Sequence, residues 1–300
     1  MRENQVLNGL RMKPIDLSPP PDLSDSLIIE GDALNALKSL PDRSVRCAIT
    51  SPPYWGLRDY GIQRQIGLES TLSEFITHLV QIFSEVRRVL SDDGTLWLNI
   101  GDGYTSGNRG YRASDKKNPA RAMTVRPNTP EGLKPKDLQG IPWRLAFALQ
   151  DDGWYLRSDV VWNKPNAMPE SVKDRPSRVH EYLFMLTKSQ RYYYDYEAVR
   201  EPGLNGKLRN RRSVWNINTQ PFPDAHFATF PPKLIEPCIL ASTEPTDYIL
   251  DPFFGSGTVG YVCIHYNRRY IGIELNPEYV EMAAKRLSFM KATPGNKFPG

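Results

Sequence analysis

The chain has 300 residues, 40% of them hydrophobic, and a formal net charge of +4. No apolar run approaches the roughly 18 residues of a membrane span. The polar, proline-rich start RENQVLNGLRMKPIDLSPPPDLS lacks a signal-peptide pattern, so the expectation is a soluble cytoplasmic protein. Three scattered cysteines (Cys47, Cys238, Cys263) and four histidines without ligand spacing argue against a disulfide framework or a metal site.

Residues 1–25 read as a flexible or surface-bound arm, and the tail 293–300 as a short extension. LIIEGD at 27–32 reads as a strand ending in a turn, and ALNALKSL at 33–40 as a short amphipathic helix. VRCAIT at 45–50 reads as a buried strand that Pro52 and Pro53 stop, since neither can donate a ladder hydrogen bond. TLSEFITHLVQIFSEVRRVL at 71–90 carries apolar residues at helical spacing, SDDG ends it, and TLWLNI at 95–100 is a further strand. This alternation predicts a parallel sheet with right-handed crossovers.

Segment 101–136 has no hydrophobic period. From Thr105 to Lys136 it holds eight basic residues against Asp115 and Glu131, and Arg200–Arg212 holds five against Glu201. Two basic, loop-like segments in one chain point to phosphate contacts. LQGIPWRLAFALQDDG at 138–153 reads as a helix, YLRSDVVWNK and EYLFMLTK as paired strands, roughly 200–220 as a second polar gap, and PPKLIEPCILAST as a helix opened by proline. The remainder to about residue 290 reads as strand, glycine loop, helix, strand, helix.

DPFFGSGTVG at 251–260 follows an apolar strand and opens a helix. Gly255 and Gly257 permit a tight turn and close approach of a ligand, while the helix start near Thr258 offers unpaired N–H groups. Glu274 ends the next strand, where a carboxylate accepts hydrogen bonds from ribose hydroxyls. The loop is neither GxGxxG nor GxxxxGK[ST], and Asp251 would repel phosphate but suit a cationic amine. A nucleoside carrying an amino-acid ammonium group is S-adenosylmethionine.

DPFFGSG resembles the DPFxGSG cofactor loop of amino-methylating DNA methyltransferases, and SPPY within TSPPYWG resembles their [DNS]PP[YF] catalytic motif. GDALNALKSLPDRSV, residues 162–189 and HFATFPPKLIEPCI at 226–239 are similar to further segments of the same enzymes, so the likeness covers most of residues 27–290. The catalytic motif comes first and the cofactor loop last, as in the beta-class circular arrangement. The resemblance implies a Rossmann-like α/β methyltransferase fold, a mostly parallel seven-stranded sheet with an antiparallel edge hairpin, over residues 26–292. Target-recognition insertions are expected near 104–137 and 200–220.

The resemblance also implies roles. Ser51, Pro52, Pro53 and Tyr54 form the catalytic turn: the Ser51 hydroxyl and the Pro52 carbonyl accept the target amine's hydrogens, and Tyr54 stacks on a base flipped out of double-stranded DNA. Asp32 contacts the cofactor adenine, or simply caps the following helix. Phe254 lies against the cofactor, with Phe253, Gly255, Gly257, Thr258 and Glu274 completing the loop site. Asp251 binds the ammonium group, and His226, Thr229 and Phe230 line the methionine end.

Serine in the first motif position resembles cytosine-N4 enzymes, with adenine-N6 as the alternative. Rivals are a carbon-5 cytosine enzyme using Cys238, a methyltransferase of protein or small-molecule amines, and a non-enzymatic DNA-binding protein of the same fold. A separate cognate restriction endonuclease is an expected companion of a bacterial, archaeal or phage-encoded enzyme of this kind. The sequence leaves monomer or dimer open.

Overall fold

The computed structural model describes residues 6–7, 10–13, 25–57, 59, 61–106, 127–203, 206–220 and 230–292. In chain order the elements are β1 (Val6–Leu7), β2 (Leu10–Lys13), β3 (Leu27–Glu30), α1 (Ala33–Lys38), β4 (Val45–Thr50), α2 (Leu72–Val89), β5 (Leu90–Ile100) and α3 (Ile141–Asp151). There follow β6 (Tyr155–Asn163), β7 (His180–Thr187), β8 (Glu201–Pro202), β9 (Leu208–Arg209), β10 (Val214–Asn216), α4 (Pro232–Ser242), β11 (Tyr248–Asp251), α5 (Thr258–His265), β12 (Arg269–Glu274) and α6 (Pro277–Ala292).

The main sheet runs β1-β2-β3-β12-β11-β4-β5-β7-β6-β10. Its central seven strands, β3 to β6 in that order, are the expected sheet. Strands β3, β12, β11, β4 and β5 pair in parallel, and β7 runs antiparallel between β5 and β6. Three short strands extend it. Residues expected only as an arm supply β1 and β2, and β2 adds in parallel to β3. The second polar gap also supplies strand: Val214–Asn216 pair with Val161–Asn163. In both places a sheet edge offers unpaired N–H and C=O groups that a few residues of any extended segment can satisfy.

Side chains alternate across the sheet with the two-residue period of a strand. Leu27, Ile29, Ala48, Leu250 and Ile271 face a core with α1, α2 and α3. Ile28, Cys47, Ile49, Ile249 and Tyr270 face the other core, with α4, α5 and α6. Helix α2 starts at a capping box in which Thr71 and Glu74 satisfy each other's backbone N–H groups. Its Phe75, Leu79, Phe83 and Val86 are fully buried, each contributing about 1.5–3 kcal/mol. SDDG does not separate helix from strand as expected. Helix α2 passes directly into β5 at Leu90, which pairs with Val45 and accepts a hydrogen bond from Lys188 Nζ at 2.7 Å. Among the described residues no helix is long and apolar enough to cross a membrane.

Candidate active site

Strands β4 and β11 are parallel neighbours, so their C-terminal ends open on one edge of the sheet. Thr50 ends β4 and Asp251 ends β11; their side chains meet at 2.6 Å, Thr50 Oγ1 donating to Asp251 Oδ1. SPPY follows the first residue and the glycine turn follows the second. The two motifs, two hundred residues apart in sequence, are thereby one site.

The SPPY turn is tied down on several sides. Pro52 is buried, and Ser51, Pro53 and Tyr54 are half-buried. Gly56 N–H donates to Gly67 O at 2.8 Å, and the buried Trp55 donates through Nε1 to Glu69 O at 2.9 Å. These bonds anchor the turn to the segment leading into α2. Tyr54 donates its hydroxyl hydrogen to Glu181 Oε2 at 3.0 Å. Burial, then the Glu181 charge, hold the phenol well above its ordinary pKa.

The glycine turn uses backbone that other residues resist. Gly255 and Gly257 have φ of +51° and +77°, and Gly257 is the N-cap of α5. Asp251 is only 2% exposed, and its Oδ1 also accepts from Phe253 N–H at 3.0 Å. Burial pushes its carboxyl up to about 7, against the lowering effect of the Thr50 and Phe253 hydrogen bonds. Glu274 ends β12 and closes the site's other side. Its Oε2 accepts from Gly255 N–H at 2.7 Å and its Oε1 from Asn276 N–H at 2.8 Å; burial raises its pKa. Asp32 caps α1 by accepting from Asn35 N–H at 2.9 Å, so its Oδ1 has a structural task.

One expected role falls. Phe254 does not face the mouth. It is 3% exposed, stacks on Tyr270 with ring centres 5.6 Å apart, and covers the bare backbone of Gly272. The turn rotates Phe254 into the α4–α6 core, and its neighbour Phe253 stays half-buried at the sheet edge. Thr258 is buried at the start of α5. Phe230 packs half-buried against the α4–α6 core, and His226 and Thr229 lie outside the described residues.

Some supporting residues carried no readable signal. Arg286, from α6, donates to Ser256 O at 3.0 Å and Thr258 Oγ1 at 3.2 Å, bracing the glycine turn from outside. Burial lowers its pKa to about 10. Asp102, 3% exposed at its side chain, accepts from the N–H groups of Gly140 and Ile141 at 3.1 Å each and so caps α3 from the end of β5. At the β10 end of the sheet, an open groove of about 830 Å³ is lined by Glu201, Arg209, Arg211, Arg212 and Trp215 among others. Arg211 lies over the Trp215 ring at 4.7 Å. Of the first basic segment, residues 107–126 lie outside the described residues.

The family profile described as DNA methylase matches residues 45–285, a span that holds both turns and every strand between them. The chain belongs to the DNA methylase family. This DNA methylase is 72% identical to the Type II methyltransferase M.Cfr9I of Citrobacter freundii over 96% of each chain. It is 76% identical to M.XycI of Xanthomonas campestris pv. cyanopsidis over 88% of each. It is 58% identical to M.SmaI of Serratia marcescens, over 89% of this chain and 92% of that one. In fold it is similar to the cytosine-N4-specific PvuII DNA methyltransferase, with a TM-score of 0.67 at 23% identity over 91% of this chain and 89% of that one. It is similar also to a DNA modification methylase from Thermus thermophilus complexed with S-adenosyl-L-methionine, with a TM-score of 0.61 at 24% identity over 90% and 95%.

The Cys238 thiol, the nucleophile of the carbon-5 rival, lies away from solvent. It is fully buried within α4, packed in the α4–α6 core, and burial raises its pKa well above the ordinary range, which suppresses the thiolate a nucleophile requires.

Proposed function

We propose that this DNA methylase transfers a methyl group from S-adenosylmethionine to the N4 amine of cytosine in double-stranded DNA, on a base turned out of the duplex. The observation that carries the reading is the Thr50–Asp251 bond, which sets an amine-accepting turn beside a turn suited to a cationic nucleoside. The residues fit that cofactor. A 2%-exposed carboxylate with its pKa pushed up to about 7 gains from a neighbouring ammonium group. Asp251 takes the ammonium, Glu274 the ribose hydroxyls, Phe253 the flat face that Phe254 does not provide, and Asp32 the adenine amine. When bound, the cofactor supplies an electrophilic methyl carbon on a sulfonium.

The protein's task is to prepare the nucleophile. The lone pair of an exocyclic amine is delocalised into its ring. Ser51 Oγ and the Pro52 carbonyl accept the two amine hydrogens and draw the nitrogen towards tetrahedral geometry. The two prolines fix the direction of that carbonyl, and Tyr54 offers its ring to the base. Alignment of amine and methyl supplies much of the remaining rate. The short serine in first position favours cytosine. The Arg209–Arg212 groove carries the charge and the aromatic surface to hold the DNA backbone. The relatives' designation as Type II methyltransferases supports a role beside a restriction endonuclease.

Mass analysis of nucleosides from duplex DNA incubated with enzyme and cofactor tests this. N4-methylcytosine is expected. N6-methyladenine in its place would move the assignment to adenine, and 5-methylcytosine or unmodified DNA would overturn it.

A further inference from the structure

Behind Tyr54 lies a polar cluster that none of the roles above uses. Glu181, near the start of β7, accepts at Oε2 from the Tyr54 hydroxyl at 3.0 Å and from Asn99 Nδ2 at 3.2 Å. Its Oε1 takes the Lys164 ammonium, and both side chains of this pair are 17% exposed. Lys164 is also placed 4.2 Å from the Trp162 ring centre, and Asn99 is tied by a second Nδ2 bond to Tyr182 O at 3.0 Å. Side chains on β5 and β7 and just past the end of β6 therefore contribute to holding one carboxylate against one phenol.

The direction of these bonds matters. An ionised carboxylate only accepts, so the Tyr54 hydrogen points at Glu181. The hydroxyl and the ring of Tyr54 move as one rigid body, so this bond fixes where the ring sits. Gly101 packs against the same ring: a Cβ built there would lie 2.7 Å from Tyr54 Cε2.

We propose that Glu181 is a positioning residue that holds the Tyr54 hydroxyl, and with it the ring offered to the target base, in one place. This deepens the functional reading above and rests on it. Glu181 touches neither reactant; it acts through Tyr54.

The test is a double-mutant cycle on Glu181→Gln and Tyr54→Phe, read as single-turnover methylation of duplex DNA, with cofactor affinity by calorimetry and thermal melting alongside. Gln at 181 keeps the shape but can donate towards Tyr54. We expect each single variant to lose about tenfold or more in the transfer rate while cofactor affinity stays within about twofold. We expect the double variant to fall no more than about twofold below the worse single, because both break the one Tyr54–Glu181 bond. Losses that multiply, or Glu181→Gln at the wild-type rate, would overturn the proposal. Should Gln at 181 unfold the protein by stranding the Lys164 charge, Glu181→Gln with Lys164→Met removes both charges and carries the same cycle. Wild-type protein that leaves duplex DNA unmodified removes the functional reading itself, and the positioning role with it.

Discussion

Thr50 Oγ1 donates to Asp251 Oδ1 at 2.6 Å, and this contact couples the residue before the SPPY turn to the residue before the glycine turn. It also tempers the acidity of the site. Asp251 is buried, its carboxyl is pushed up to about 7, and the Thr50 and Phe253 bonds restrain that rise. A cation bound beside it favours the carboxylate, so binding lowers its pKa and releases a proton below about pH 7. Cofactor affinity is therefore expected to climb as pH rises towards 7 and to level off above it. Calorimetry in buffers of different ionisation enthalpy measures the proton release; pH-independent affinity between about 5.5 and 8 would contradict a role for Asp251 in binding the amine.

The same group sets a stability slope for the ligand-free protein. Its folded pKa exceeds the unfolded value, so the folded state holds the extra proton between about 4 and 7. That contribution is fully present below the unfolded pKa and is lost as pH rises through about 7. Asp251→Asn is expected to flatten this part of the melting profile, and to bind cofactor at least about tenfold more weakly, since it removes the charge. Thr50→Val leaves the carboxylate with one fewer donor, and should shift the binding profile to higher pH at a stability cost of about 1–3 kcal/mol. Melting curves across the pH series separate these outcomes.

The bracing of the glycine turn by Arg286 gives a third expectation. Its Nη1 reaches Ser256 O and Thr258 Oγ1 from α6. Arg286→Met keeps most of the buried stem but removes the donors, and should cost about 1–3 kcal/mol in denaturant unfolding while weakening cofactor binding. A variant with wild-type affinity would mean the turn holds its shape without this brace.

Which parts of this were legible in the sequence follows from how local each signal is. Strand ends β4 and β11 were readable because apolar runs stop there at Pro52-Pro53 and at a glycine turn. The motif pair was readable for the same reason, and Thr50–Asp251 shows the consequence. Phe253 and Phe254 were not separable, because which of two adjacent rings turns inward depends on the space above Gly272. Glu181 was invisible: it lies 127 residues from Tyr54, on β7, and meets it only because β7 inserts antiparallel between β5 and β6. Arg286 looks like any charged residue on a helix until α6 is packed beside the turn. Strand β10 could not be read from three residues in a basic, polar stretch, because the edge of β6 supplies what they lack.

Cys238→Ala tests the remaining chemical rival. The thiol is fully buried in α4, its Sγ 3.6 Å from Leu234 O, with its pKa raised by burial. Loss of one small buried group should cost about 1 kcal/mol and leave the methylation rate unchanged within about twofold. Abolished transfer in a folded variant would restore a covalent mechanism.

Gly101 is the position where the backbone itself makes room for Tyr54. A Cβ built there would lie 2.7 Å from Tyr54 Cε2 and 3.2 Å from its hydroxyl oxygen, closer than carbon contacts allow. Residue 101 follows β5 directly, and Asn99, two residues earlier, holds Glu181, so the backbone has little room to withdraw. The ring must move instead, lengthening its bond to Glu181 and tilting the surface that meets the base. Gly101→Ala is therefore expected to reduce the transfer rate by about tenfold or more, with a stability cost of about 1–3 kcal/mol. Cofactor affinity should stay near that of the wild type, because the hydrogen bonds of Asp251 and Glu274 go to Thr50, Phe253, Gly255 and Asn276 and not to Tyr54. Single-turnover kinetics beside calorimetry decide the matter: equal losses in rate and cofactor affinity would mean the two turns move as one body, and a wild-type rate would mean the seat of the Tyr54 ring is not what limits transfer.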